Sequence, residues 1–158
     1  MEPRLDFKKV APGAMKVMLG LEDYVHGSGL ESSLLHLVKI RASLLNGCAY
    51  CIDMHTKEAR AEGETEQRLY ALSAWHETPF YTDRERAALA WAETVTLVSN
   101  EDVSDYVYEM ARQQFSEEEL VALTMAVVAI NGWNRLAISF RRVPGSYQLP
   151  ARRERQAA

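Results

Sequence analysis

Cysteine is scarce in this chain of 158 residues: only Cys48 and Cys51 are present, three positions apart. A framework of structural disulfides is excluded, because a bridge closing so small a loop restrains little of the unfolded chain. Long hydrophobic runs are missing as well. The longest uncharged stretch, Leu120 to Asn134, falls short of the roughly 20 residues that span a bilayer, so no membrane segment is expected. Neither sign of charge dominates: eighteen basic against twenty-two acidic side chains leave a formal charge of -4, which offers no overall attraction to nucleic acid or to an anionic lipid surface. There is no run of alternating polar and apolar residues and no Asn-Gly turn between β-branched stretches, so the fold class is read as all-α. The first residues lack the basic start and apolar run of a secretion signal, from which a cytoplasmic chain is expected.

A hydrophobic content of 47% and a charged content of 25% are those of a globular protein, and the length predicts one helical domain over residues 1–140 that buries a core without staples. Residues 141–158 carry Arg141, Arg142, Arg152, Arg153 and Arg155 against Glu154, with Tyr147 the lone aromatic. They are read as a basic C-terminal tail, solvated or touching a partner. Within the domain about seven helices are predicted, after a loose lead-in over 1–11. Pro12 suits a helix start, and that helix ends before Gly27. A second runs from Ser32 or Ser33 to Asn46-Gly47. A third, carrying the cysteines, stops at Gly63, and a fourth covers Glu66 to Trp75 behind Thr65. Thr82 to Glu85 and Ser116 to Glu119 are capping boxes, opening helices that reach Val98 and about Phe140; another spans Ser104 to Gln114. Because the last helix is uncharged from Leu120 to Asn134, cover on nearly every side is expected, inside the bundle or at a subunit contact. Leu45-Asn46-Gly47-Cys48 and Ile130-Asn131-Gly132-Trp133 echo one another weakly, as an internal repeat would.

The chemistry concentrates in Asn46-Gly-Cys-Ala-Tyr-Cys-Ile-Asp-Met-His-Thr-Lys-Glu58. At about 100° per residue, Cys48, Cys51 and His55 share one stripe of a helix that begins near Cys48. A helix start favours the thiolate, and a pair at i and i+3 can close and reopen as a two-electron switch. For peroxide reduction one thiolate attacks the O–O bond and the second displaces water from the resulting sulfenic acid. Cys51, one turn before His55, is assigned as the attacking thiol with His55 as its base. Cys48, nearer the helix start and expected to be the more exposed, is assigned as the resolving thiol or proton donor. Zinc is the rival reading, since His36, Cys48, Cys51 and His55 would supply two thiolates and two imidazoles. Three ligands along one helix fit that poorly, and two inert buried thiols are the plainest alternative. Glu58, three residues past His55, could orient its ring but is more often a solvated helix charge. Tyr50 is read as packing or pocket wall, and Trp133, Asn134 and Arg135 as core and capping residues of the last helix.

The stretch Leu37-Val-Lys-Ile-Arg-Ala-Ser-Leu-Leu-Asn-Gly-Cys-Ala-Tyr-Cys-Ile-Asp-Met-His-Thr-Lys-Glu-Ala-Arg60 resembles the core of the AhpD-like alkylhydroperoxidases, within the carboxymuconolactone decarboxylase superfamily. Residues 66–75, 85–93 and 130–137 are similar to that family as well. The resemblance implies an all-helical bundle, homo-trimers or homo-hexamers, and peroxidase or disulfide reductase activity in antioxidant defence. It implies no metal, haem or flavin; the electrons would come from a dithiol donor such as a lipoyl or thioredoxin-like protein. By position the peroxide-attacking cysteine falls on Cys51, the other redox cysteine on Cys48 and the relay histidine on His55. The family's usual glutamate, twelve residues before the first cysteine, is replaced here by His36. A neutral His36 could take the proton, but as a cation where the family has an anion. A redox-sensing module without turnover and a decarboxylase of the wider superfamily remain the alternatives.

Overall fold

The computed structural model of the chain describes residues 2–100 and 102–149; the remainder of the expected basic tail, 150–158, lies outside the described residues. Among the described residues every regular element is helical. They are α1 (Phe7–Val10), α2 (Pro12–His26), α3 (Ser32–Asn46), α4 (Ala49–Ala61), α5 (Glu66–Ala71) with a 3-10 turn (Leu72–Glu77), α6 (Asp83–Thr96), α7 (Asp105–Arg112) and α8 (Glu117–Ser139). The all-α reading holds, and both capping boxes form as the sequence predicts. Thr82 and Ser116 accept the N–H groups of Glu85 and Glu119, whose carboxylates reach back to the cap amides.

Three boundaries differ from expectation, each for a tertiary reason. Residues 7–10 are helical, since Asp6 accepts the Lys8 amide at 3.1 Å and the buried Phe7 packs on Phe140 with ring centroids 5.8 Å apart. The fourth helix tightens after Ala71. A 3-10 turn aligns positions i and i+3, which lets Leu72 and Trp75 sink together beside Leu37, Ile40 and Leu89 while the indole N–H donates to Glu93 at 2.6 Å. Helix α6 stops at Thr96 instead of reaching Val98, which is 57% exposed and has no core to face.

Helix α3 is the axis of the bundle, packing on α4, α6 and α8. One dry cluster joins α2, α3, α6, α7 and α8 through residues such as Leu34, Val38, Ala88, Leu123 and Val127. Helix α8 is long and apolar enough to cross a membrane by length and composition alone, yet Leu123, Ala126, Val127, Ala129 and Ile130 are buried among α2, α3 and α6. Its cover is less complete than expected. Val121 and Val128 face outward, 57% and 46% exposed.

The Asn-Gly echo is two different structures. Gly47 ends α3 with φ +70°, the left-handed conformation that glycine adopts without a Cβ clash. Gly132 sits inside α8, where a Cβ would lie 2.9 Å from Met18 Cε, so there it permits a close approach of α2. The two asparagines nonetheless meet. Asn46 donates to the side-chain oxygens of Asn131 and Asn134, each at 2.9 Å, and Asn134 donates to Ser43 at 3.0 Å, tying the end of α3 to the middle of α8.

Candidate functional site

Gly47 reverses the chain so that Cys48 N–H returns to Ser43 O at 2.9 Å and α4 starts at once. Cys48 is therefore the N-cap of α4 and not its first helical residue, its sulfur accepting the Cys51 amide at 3.4 Å. The two cysteines form a disulfide across this first turn, with Cα atoms 5.3 Å apart, inside the range that such a bridge requires. Cys48 is not the more exposed of the two, as the sequence suggested. Cys48 is 1% and Cys51 2% accessible, packed with Ala42 of α3, Ile130 and Ala137 of α8, and flanked by Met54, Trp133 and Tyr147. Helix α8 covers the pair, and no local pattern around Cys48 encodes that contact.

His55, one turn after Cys51, is 4% exposed, and its Nδ1 lies 2.8 Å from Glu58 Oε2. Burial pushes the imidazole below its usual range, against the opposing pull of Glu58. For Glu58, burial alone would raise the carboxyl, but the hydrogen bond and charge of His55, with the Tyr147 hydroxyl, outweigh it and hold Glu58 at about 2. An ionised carboxylate only accepts. Neutral His55 must then carry its proton on Nδ1, which leaves Nε2 as a lone pair, buried and without a hydrogen-bond partner. Such an atom is ready to take a proton.

His36 stands beside this pair, its ring centroid 6.4 Å from that of His55. Its Nε2 lies 3.1 Å from Glu62 Oε1, an ion-pair distance, and its Nδ1 is buried without a hydrogen-bond partner. It is thus brought next to His55 without being bonded to it. The carboxylate that does bond His55 is Glu58, which helical spacing admitted but favoured as a solvated charge. One donor atom from each of His36, His55 and Glu58 lies within 4.8 Å of the others. That differs from the two-thiolate, two-imidazole zinc set read from the sequence. Both Glu58 oxygens are engaged, one by His55 and the other by the Tyr147 hydroxyl at 2.7 Å, so Tyr147, Glu58 and His55 form a hydrogen-bond chain.

Tyr147, noted in the sequence only as the lone aromatic of the tail, was not expected at the site. Its partner is 89 positions away, and its only local signal is an aromatic within an arginine-bearing tail. Tyr50 is buried at 6% under the Arg142 guanidinium, 4.3 Å from the ring centroid, which agrees with a packing role. Trp133 donates its indole N–H to Glu22 of α2 at 2.9 Å, and Glu22 also pairs with the buried Lys39 at 2.6 Å. Asn134 is fully buried in the asparagine network, and Arg135 donates to Asn131.

The sequence profile of the Carboxymuconolactone decarboxylase family matches residues 12–94. The uncharacterized protein YdfG of Bacillus subtilis (strain 168) is 44% identical over 139 residues, 88% of this chain and 95% of that protein. A crystal structure of a protein of unknown function from Agrobacterium tumefaciens, proposed as an antioxidant defence protein AhpD, superposes with TM-score 0.89 and 44% identity, covering 92% of this chain and 100% of the other. The debrominase Bmp8, at TM-score 0.76 and 19% identity over 85% of this chain and 73% of its own, shares the fold.

Proposed function

Since the chain belongs to the carboxymuconolactone decarboxylase family, in its AhpD-like branch, we propose that it is a thiol-dependent peroxidase whose Cys48–Cys51 pair cycles between dithiol and disulfide. The observation that carries this reading is the bridged pair in the first turn of α4, with a neutral, Glu58-anchored imidazole one turn further on.

In the reduced protein His55 Nε2 takes the Cys51 proton. The thiolate sulfur attacks the distal oxygen of a hydroperoxide; the O–O bond breaks, the alkoxide leaves and receives the proton from His55, and Cys51 becomes a sulfenic acid. The Cys48 sulfur then attacks the Cys51 sulfur, and its proton leaves with the hydroxide as water. One hydroperoxide and two thiols thus yield an alcohol, water and the disulfide. A dithiol donor of the lipoyl or thioredoxin-like kind restores the pair by exchange. His36 is a secondary proton acceptor beside His55, and no metal, haem or flavin takes part.

The same reading sets the enzyme in the cytoplasm, where a donor keeps thiols reduced. The helical domain over 1–140 is followed by a basic tail whose residues 142–147 lie against α4, and the chain assembles as a homo-trimer or homo-hexamer, a state that light scattering measures. The test is thiol titration of the reduced protein before and after one equivalent of peroxide. Loss of both thiols with a mass decrease of two hydrogens supports the cycle, as does a Cys51→Ser protein that consumes peroxide no faster than buffer. Untouched thiols in the parent protein end it. A tightly held zinc ion would favour the metal site instead.

A further inference from the structure

The segment after α8 does not leave the molecule. It runs back along α4, where Arg142 covers Tyr50, the Gly145 amide donates to Asp53 Oδ2 at 3.1 Å, Lys57 Nζ donates to the Tyr147 carbonyl at 3.1 Å, and the Tyr147 hydroxyl donates to Glu58 Oε1 at 2.7 Å. Positions 50, 53, 57 and 58 fall at i, i+3, i+7 and i+8, so the segment follows one face of the helix. Its ring also packs against the cluster that holds both cysteines. Four separate anchors over so short a stretch specify where the phenol sits.

We infer that Tyr147 is a positioning residue for the thiol chemistry: its hydroxyl fixes the Glu58 carboxylate, which in turn fixes the His55 ring and tautomer. A glutamate on a helix surface has three rotatable bonds and a solvent-directed rotamer within reach. Glu58 is 26% exposed at its side chain, so His55 alone leaves it that freedom. The phenol removes it. With Oε1 committed to Tyr147, Oε2 is presented to Nδ1, and Nε2 is left as the basic nitrogen. In this chain the carboxylate expected twelve residues before Cys48 is replaced by His36, and the Tyr147-Glu58 couple supplies a fixed anion from another side. The other charged and titratable groups that bear on the pair are Lys39 and His36 of α3 and Glu62 just past α4, and none of them bonds Nδ1, whose partner is Glu58.

This inference rests on the peroxidase reading for its consequence in turnover, but not for its geometry, and the experiment separates the two. The protein is compared with its Tyr147→Phe form and with Lys57→Met, which drops the main-chain anchor and keeps the phenol. Three quantities are read: the His55 tautomer by imidazole 15N shifts, the pH profile of Cys51 alkylation in the reduced state, and peroxide consumption. In Tyr147→Phe the Nδ1–H tautomer gives way to a mixture and the alkylation inflection rises by about half a pH unit. Peroxide consumption falls about tenfold, the scale of one hydrogen bond to a charged group. Lys57→Met retains the tautomer and the inflection. An unchanged tautomer and inflection in Tyr147→Phe overturn the inference even where the parent protein turns over. A parent protein inert to peroxide ends the peroxidase reading while the tautomer and alkylation still decide the role of Tyr147. Should Tyr147→Phe unfold, an Nε2–H tautomer in the parent protein alone overturns it and an Nδ1–H tautomer supports it.

Discussion

Two polar groups lie inside this bundle a few turns apart and are treated in opposite ways. At the junction of α3 and α8, Asn46, Asn131, Asn134, Ser43 and Thr96 pair with one another, as buried amides and hydroxyls ordinarily do. One turn past Cys51, by contrast, Nε2 of His55 and Nδ1 of the neighbouring His36 are buried with no hydrogen-bond partner. Among the described residues every buried side-chain nitrogen or oxygen without a hydrogen-bond partner belongs to this histidine pair. A buried unpaired polar atom costs on the order of 1–3 kcal/mol. The first group therefore holds the fold together, and the second keeps basic nitrogens available at the expense of stability.

The sharpest way to break this contrast is to exchange the consequences. His55→Ala should lower the rate of peroxide consumption by about 10²- to 10⁴-fold, the usual worth of a positioned general base, measured by stopped-flow on the reduced protein. An equal loss of rate per folded molecule from a change in the asparagine network would erase the distinction. Asn134→Ala should instead lower unfolding stability by about 1–3 kcal/mol, because Ser43 loses its donor and Asn46 one of its acceptors inside the core, with turnover per folded molecule unchanged; denaturant melts and kinetics on one preparation test both halves.

The smallest effect concerns acid. His55 and Glu58 both have folded-state pKa values below their ordinary ones, so in each case the unfolded chain binds the proton more readily. Stability is then fully present above the unfolded values and is lost as pH falls, from about 6.5 downward for His55 and between about 4.5 and about 2 for Glu58. Thermal melts across that range should show the decline, and Glu58→Gln should flatten its lower part. Asn134→Ala should shift the whole curve without changing its shape.

Local chemistry made much of this legible in advance. The capping boxes at Thr82 and Ser116, Thr65 before α5 and Gly47 before α4 each act within one turn, so residue identities suffice to place them. The cysteine stripe was readable for the same reason. Helix α1 was not, because its ring contact joins Phe7 to Phe140 across nearly the whole chain. Nor was the burial of Cys48, which α8 imposes, or the weight of Glu58. Spacing put Glu58 on the His55 stripe, but its tie to the tail depends on a tyrosine that no periodicity connects to it. What was missed lies where distant segments meet.

The sulfur of Cys48 has two duties in one place, since it accepts an amide hydrogen that opens α4 and also forms half of the bridge. Reduction releases that acceptor from its bridge, and each time Cys48 gives up its proton the sulfur facing the amide carries a full negative charge. The opening coil of α4 is then gripped harder in the electron-rich form than in the oxidised one, and slower deuterium uptake at the Cys51 amide would record the oxidation state of the protein from its backbone.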